Sequence, residues 1–309
     1  MTKNILLTGG NSMIARAIQR EVPCYEIIHN DTEMDAIVDL TKRHEFTKFC
    51  RIYKPERMIH LAAFSGNLNF NQTYPSKTFE DNIRIGLNVF SEWFQYGKAK
   101  KALNVIPSCA YPDYPICMEH MLWNGKCHTT IESHGLARRC IEAYTRQLNK
   151  EGARIITCIV NNSGGEFDSF DPVKTKVIGG FINKFIKAKE EGATHVVCWG
   201  QGKETREFIF CDDVSKCLLQ ALDTYEDLYE PLNITSGEEI TIKELAETIA
   251  ELVGFTGDIY WDKTKPDGQM RKKLSTTKMR KYISIEFTPI RSWLKTTIDW
   301  YLSTRKLEI

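Results

Sequence analysis

The short apolar run Asn4–Thr8 stops at Gly9-Gly10 and gives way to a helical pattern, with Met13, Ile14, Ala17 and Ile18 on one face. A buried strand that turns through glycines straight into an amphipathic helix is the opening of a parallel crossover, because parallel strands need a long connection and a helix supplies it. The rhythm then repeats. Tyr25–Ile28 reads as a second strand, and Ile37–Leu40 closes a short loop before a helix carrying Phe46, Phe49 and Tyr53. Met58–Ala63 reads as a buried strand, Phe79–Phe94 as a long helix and Leu103–Ile106 as a strand ending at Pro107-Ser108-Cys109. A helix over Glu132–Lys150 and a strand over Arg154–Val160 follow. This alternation predicts an α/β fold with a doubly wound parallel sheet, strands in the order 3-2-1-4-5-6.

After Val160 the rhythm changes. Gly164-Gly165 and Asp168–Pro172 read as loop, Val177–Glu191 as helix, His195–Cys198 as strand and Ile242–Val253 as an amphipathic helix. Trp261–Gly268 reads as a polar loop. Residues 1–165 are expected to form mainly the sheet domain. Residues 166–309 are expected to form mainly a smaller C-terminal lobe, with segments returning to the sheet.

Lys+Arg number 41 and Asp+Glu 40, a net charge of +1, which argues against a nucleic-acid or membrane-surface partner. Ten cysteines without a C-x-x-C pair predict reduced thiols. No signal-peptide pattern and no bilayer-length apolar run is legible, so a cytoplasmic protein is expected.

Between the first strand and helix lies Thr8-Gly-Gly-Asn-Ser-Met-Ile-Ala15. A dinucleotide site needs glycine here for a tight turn, for backbone approach to the pyrophosphate and for helix–strand packing. In the T-G-x-x-G-x-x-G form those positions are Gly9, Ser12 and Ala15. Ala15 suits the packing position, whereas Ser12 places a Cβ where phosphate approaches. The segment reads either as a cofactor turn or as a strand–helix turn that binds nothing. After the second strand, Asp31 would serve the ribose of NAD and His29 a 2′-phosphate; the choice between NAD and NADP stays open.

From His60-Leu-Ala-Ala63 with Gly66 and Tyr74-Pro75, through Ser108-Cys-Ala-Tyr-Pro112 and Asp168-Ser-Phe-Asp-Pro172, a family resemblance builds. It continues in Val197-Cys-Trp-Gly-Gln-Gly202, Arg206-Glu-Phe-Ile209, Asp212-Asp213 and Leu232–Gly237, and ends in Lys265-Pro-Asp-Gly268 with Arg271-Lys272. In order and spacing the chain resembles the extended short-chain dehydrogenase/reductases, specifically the GDP-L-fucose synthases, nearly end to end. The resemblance implies a Rossmann-type domain, a GDP-linked sugar as substrate, NADP or NAD held weakly or not at all, and a homodimer built on the helices around Phe79–Phe94 and Glu132–Lys150. It implies a cofactor site at Gly9, Ser12, Met13, Ile14, Asp39, Leu40, Leu61, Ala62, Ala63 and Arg138. Sugar-nucleotide contacts fall on Ser108, Asn162, Lys184, Trp199, Arg206 and Lys265. A plainer reading makes Trp199 core and Arg206 a surface charge.

The catalytic positions depart from the family. Its Ser/Thr falls on Pro107, and its Tyr-x-x-x-Lys falls on His134-Gly-Leu-Ala-Arg138. The tyrosine would shuttle a proton at the C4 oxygen while hydride moves; Pro107 has no hydroxyl. His134 would donate a proton near neutral pH only with a different reach. Cys109, by contrast, matches the family cysteine, and the partner histidine falls on Lys176, a Cys/Lys pair that resembles the GDP-mannose 3,5-epimerases. A thiolate whose pKa is lowered by an ammonium would take a proton alpha to the C4 ketone, and lysine would return one. The plainer reading has Cys109 as a small core residue and Lys176 as a solvated lysine. Three functions are carried forward: C3/C5 epimerisation of a GDP-4-keto-6-deoxy sugar, an NADP-dependent 4-ketoreductase using His134, and a non-catalytic nucleotide-sugar-binding protein.

Overall fold

The computed structural model describes residues 5–22, 26–28, 38–97, 100–171, 175–265 and 268–305, without the side chains of 26–28 and 68. His29 and Asp31, the residues expected to choose between NAD and NADP, lie outside the described residues, as does Pro172.

The chain begins with β1 (Ile5–Thr8), α1 (Met13–Glu21), β2 (Glu26–Ile28), α2 (Arg43–Tyr53), β3 (Arg57–His60), α3 (Leu68–Thr73), α4 (Pro75–Gly97) and β4 (Lys101–Pro107). It continues through β5 (Ile116–Cys117), α5 (Glu132–Lys150), β6 (Arg154–Val160), β7 (Asn162–Gly164), α6 (Val177–Glu190), β8 (His195–Trp199) and β9 (Thr205–Phe210). Then follow α7 (Cys211–Thr224), β10 (Leu232–Ile234), β11 (Glu239–Thr241), α8 (Ile242–Val253), β12 (Asp258–Asp262), β13 (Arg271–Leu274) and α9 (Ile290–Arg305).

The main sheet is parallel throughout, in the order β10-β6-β4-β3-β1-β2. β1, β3, β4, β6 and β10 are buried on both faces, as a sheet covered by helices on each side requires. Ile5 and Leu7 join Ile18, Val214 and Leu218 on one face. Leu6, between them, joins Phe46, Phe90 and Trp93 on the other, the period of two that a strand imposes. The order corrects the expected 3-2-1-4-5-6 at its edges. Val38–Leu40 forms no strand beside β2, and the far edge gains β10, paired with β6 in register Leu232↔Cys158.

Beyond β6 a second sheet runs β11-β9-β13-β5, with β7 on β9, and β8 pairs with β12. Trp261 and Asp262 belong to β12, so the expected loop begins later: their partners Cys198 and Trp199 recruit them into a ladder that sequence alone does not show. Phe181 and Phe185 of α6, Leu245 and Ile249 of α8 and Trp293 of α9 share a separate core beneath β9. α8 is fixed at both ends, by a Thr241–Glu244 capping box and by Gly254 at φ +75°. The nine described cysteines are free, and no described helix is long and apolar enough to cross a membrane.

Candidate active site

β1, β3, β4 and β6 are parallel, so their C-terminal ends lie on one side of the sheet, the usual ligand position in a doubly wound fold. Thr8 fastens β1 to β3. Its hydroxyl accepts from the backbone N–H of Leu61 at 3.2 Å and of Ala62 at 3.3 Å, so its proton goes to His60 Nδ1 at 2.7 Å. His60 therefore carries its proton on Nε2, which is buried without a partner. Gly9 sits against this junction at φ +72°, and a Cβ there would stand 2.9 Å from Ala62 Cα. Only glycine meets both demands.

Ser12 caps α1, its Oγ accepting from Ala15 N at 3.3 Å. Its hydroxyl is turned onto the helix end, and the residue is exposed. Met13 and Ile14 are half-buried and pack into the two adjoining cores, while Ala63 is exposed. Asp39 accepts from Thr41 N and Oγ1 at 3.0 and 2.6 Å, and these bonds hold its carboxyl below the ordinary range. Leu40 is buried, its carbonyl taking Asn88 Nδ2. The glycine turn and the N-terminus of α1 thus fit a pyrophosphate.

The other half of a cofactor site is different. His134 and Arg138, one turn apart on α5, are 6% and 2% exposed. Burial pushes the imidazole down to about 3, with the charges of Arg138 and Lys176 acting in the same sense. His134 is therefore neutral at neutral pH, with Nδ1 unpartnered. A cation there would be desolvated beside two others, so any proton His134 donates comes from the neutral ring. Arg138 donates from Nη1 to Ala62 O at 3.2 Å and from Nη2 to Val105 O at 2.9 Å. Those bonds hold the guanidinium against the backbone of Ala62 and of Val105 in β4.

Cys109 lies in a short 3-10 turn at the end of β4. The turn is held on every side. Ser108 Oγ donates to Asn161 Oδ1 at 3.1 Å, Arg139 Nε donates to Ala110 O at 2.7 Å, and Tyr111 Oη donates to Asn233 Oδ1 at 2.7 Å. Ser108 is 4% exposed, so its expected role as a sugar contact is corrected: its hydroxyl fastens the turn from inside. Asn161 passes the link on to the buried Glu207, whose Oε2 also accepts from Leu274 N at 2.7 Å.

Three cations act on the half-buried Cys109 thiol. Burial raises its pKa, Cys127 adds to the rise, and Lys272, Lys176 and Arg138 oppose it. The net direction is upward. The expectation of a lowered thiol pKa is corrected, because desolvation of the anion outweighs the neighbouring charges. Lys176 is the exposed N-cap residue of α6, and its charge acts on both Cys109 and His134. Its charge also opposes the burial that raises Asp168.

Lys272 is the site residue that sequence reasoning did not assign a role. The signal is strand alternation: Arg271 and Lys273 both reach Glu239, which leaves Lys272 on the opposite face of β13. The remaining expected contacts lie in the part of the chain that follows β6. Trp199 is 71% exposed, with the Lys265 ammonium 5.6 Å from its ring centre. Lys184 Nζ donates to Val197 O at 2.8 Å beside a cleft of about 520 Å³ between α6 and β8. Arg206 is tied to Thr205 O and Gln269 O, and Asn162 Nδ2 to Glu207 O.

The fold is that of a Rossmann-type α/β protein, with a glycine turn between its first strand and first helix. The chain belongs to the NAD dependent epimerase/dehydratase family, whose model matches residues 5–235. It is similar to GDP-L-fucose synthase 1 of Arabidopsis thaliana, 34% identical over 308 residues that cover 96% of this chain and 93% of the relative. It is similar to a GDP-L-fucose synthetase structure from Naegleria fowleri, with a TM-score of 0.89, 26% identity and coverage of 99% and 95%. The NADP-bound structure from the same organism gives a TM-score of 0.88, 26% identity and coverage of 98% and 95%.

Proposed function

We propose that this chain epimerises a GDP-linked 4-keto-6-deoxy sugar at C3 or C5 without a hydride step. Two observations support the reading: the Lys176 charge acts on the Cys109 thiol, and positions 107, 134 and 138 offer no hydroxyl shuttle. Protons beside a C4 ketone are acidic because the resulting enolate spreads its charge onto oxygen. Cys109 as thiolate removes one, the enolate forms, and Lys176 returns a proton on the opposite face. No bond changes oxidation state. The GDP moiety is assigned to the second lobe, at Lys184, Trp199, Arg206 and Lys265.

The glycine turn supports a bound NADP or NAD, which would supply hydride exchange at C4 in a protein equipped for it. Here His134 is neutral and Arg138 is bonded to backbone carbonyls, which supports a structural or vestigial cofactor. A cytoplasmic homodimer through α4 and α5 belongs to the same proposal; Leu87 and Leu136 are exposed large apolar residues on these helices. Incubation with GDP-4-keto-6-deoxymannose in D₂O, with and without NADPH, tests the reading. Deuterium uptake without NADPH loss supports it. NADPH consumption would establish the reductase, and neither change would leave a sugar-nucleotide-binding protein.

A further inference from the structure

Four polar side chains cross the main sheet in one row. Thr8, His60, Asn104 and Thr157 are register partners on the adjacent strands β1, β3, β4 and β6. Two residues before each stand Leu6, Met58, Ala102 and Ile155, which share one core, so the four polar side chains rise from that same face. The row is bonded at both ends. The Thr8 hydroxyl donates to His60 Nδ1 at 2.7 Å, and Asn104 Nδ2 donates to the Thr157 hydroxyl at 3.4 Å. It breaks in the middle, between His60 and Asn104. Burial and the Arg138 charge hold the His60 imidazole well below its ordinary range, so the ring is neutral and its one proton is on Nε2. Asn104 turns Nδ2 to β6, which leaves Oδ1 for the β3 side. A donor and an acceptor thus meet across one strand spacing, on two residues with no exposure, and neither atom has a partner among the described residues. The opposite amide orientation would set donor against donor.

Arg138 spans the same two strands. Nη1 donates to Ala62 O, two residues past β3, and Nη2 to Val105 O, next to Asn104 on β4. Its Nε–H is a second donor without a partner, on a side chain 2% exposed. Two donors and one acceptor complement a water molecule, which accepts two hydrogen bonds and typically makes about three in a protein interior. We propose that His60, Asn104 and Arg138 bind one buried water, which accepts from His60 Nε2–H and Arg138 Nε–H and donates to Asn104 Oδ1. The water makes the row continuous from Thr8 at the glycine turn to Thr157 on β6. It also gives Arg138 a third tie, so that α5 is fastened to β3 and β4 together. This site does not depend on the epimerase reading. The Phe90 ring competes for the His60 proton, its centroid 5.1 Å from that of the imidazole in an edge-to-face arrangement. An N–H over a ring is the weaker bond. It would also leave Asn104 Oδ1 and Arg138 Nε unpaired, whereas one water satisfies all three.

The test is a crystal structure of the protein at a resolution that shows ordered water, with the His60 tautomer read from the ring-nitrogen shifts of 15N-histidine protein. A single density peak within about 3.2 Å of His60 Nε2, Asn104 Oδ1 and Arg138 Nε is expected. The His60 proton should be on Nε2 and show a cross-peak to a long-lived water. A direct His60–Asn104 bond, a dry gap with Nε2–H directed at Phe90, a peak out of reach of any of the three atoms, or a proton on Nδ1 would each overturn the proposal. Asn104→Leu removes the acceptor, so the peak and the cross-peak should both be lost while the Thr8–His60 bond remains. A peak that persists in Asn104→Leu assigns the water to other groups and overturns the proposal equally. Should that variant fail to fold, Asn104→Asp, which keeps an acceptor, should keep the water, and loss of the peak there would count against the site.

Discussion

Ser12 Oγ accepts a hydrogen bond from the backbone N–H of Ala15, closing the N-terminus of α1 beside the glycine turn. From the sequence, Ser12 reads as an obstruction to pyrophosphate, and Ser12→Gly is expected to tighten NADPH binding. The bond gives the same serine a second task. Ser12→Ala should lower stability by about 1 kcal/mol, and Ser12→Gly by only a few tenths. Urea melts of both variants with NADPH calorimetry separate the two tasks. Tighter binding in Ser12→Gly confirms crowding; unchanged or weaker binding shows that the serine is present as a cap.

His134 supplies a pH signature of its own. Its folded pKa, about 3, lies far below the ordinary histidine value of 6.5. A depressed folded value means the unfolded chain binds the proton first. The stability tied to neutral His134 is therefore whole above about pH 6.5 and is lost as pH falls toward 3, by about 1.4 kcal/mol per unit for one site. His60 acts in the same sense but is present in both proteins. The stability of His134→Phe relative to the parent should therefore improve steadily from pH 6.5 to pH 4.5. A constant difference across that range would mean that His134 is hydrated and titrates normally.

Much of the fold is legible in the sequence because its strands are buried on both faces and its helices are long. The boundaries of α5, β6 and α8 follow directly from apolar spacing, since each has a complete face to bury. Short strands such as β7 and β13 are not legible. Each is defined by its partner in a ladder, and no local pattern marks a strand of three or four residues. The site divides in the same way. Motif order brings out Cys109, Lys176, His134 and Arg138, but whether a side chain faces the crevice or the interior depends on packing. Ser108 faces inward because Asn161 of the neighbouring strand end accepts its proton. The ionisation of Cys109 is equally illegible, because it balances burial against cations drawn from three distant segments.

That balance has a kinetic consequence. With the thiol above its usual value of 9.0, the base form is scarce at neutral pH. Below the thiol pKa the thiolate fraction grows about tenfold per pH unit. Deuterium exchange at C3 or C5 should therefore climb about tenfold between pH 7 and pH 8, and still rise at pH 9. Cys109→Ala and Lys176→Ala should each lose exchange while retaining GDP-sugar binding. A rate that levels off near pH 7 would assign the base role to another group.

Gly135 links the helix carrying His134 and Arg138 to the turn carrying Cys109. A Cβ on Gly135 would lie 2.5 Å from Cys109 O and 3.0 Å from Cys127 Sγ. The first contact is with backbone, which cannot rotate away, so α5 or the Cys109 turn must shift. Alanine would return up to about 1 kcal/mol of helix propensity. Overpacking of this kind costs about 1–3 kcal/mol and wins. The displacement also moves the thiol relative to Lys176, and misplacement of about 1 Å can cost about a hundredfold in rate. Gly135→Ala should therefore melt at lower denaturant than the parent, and its deuterium exchange should fall by much more than its stability would explain. A Gly135→Ala protein with parental exchange would show that the Cys109 turn yields to α5 without disturbing the site.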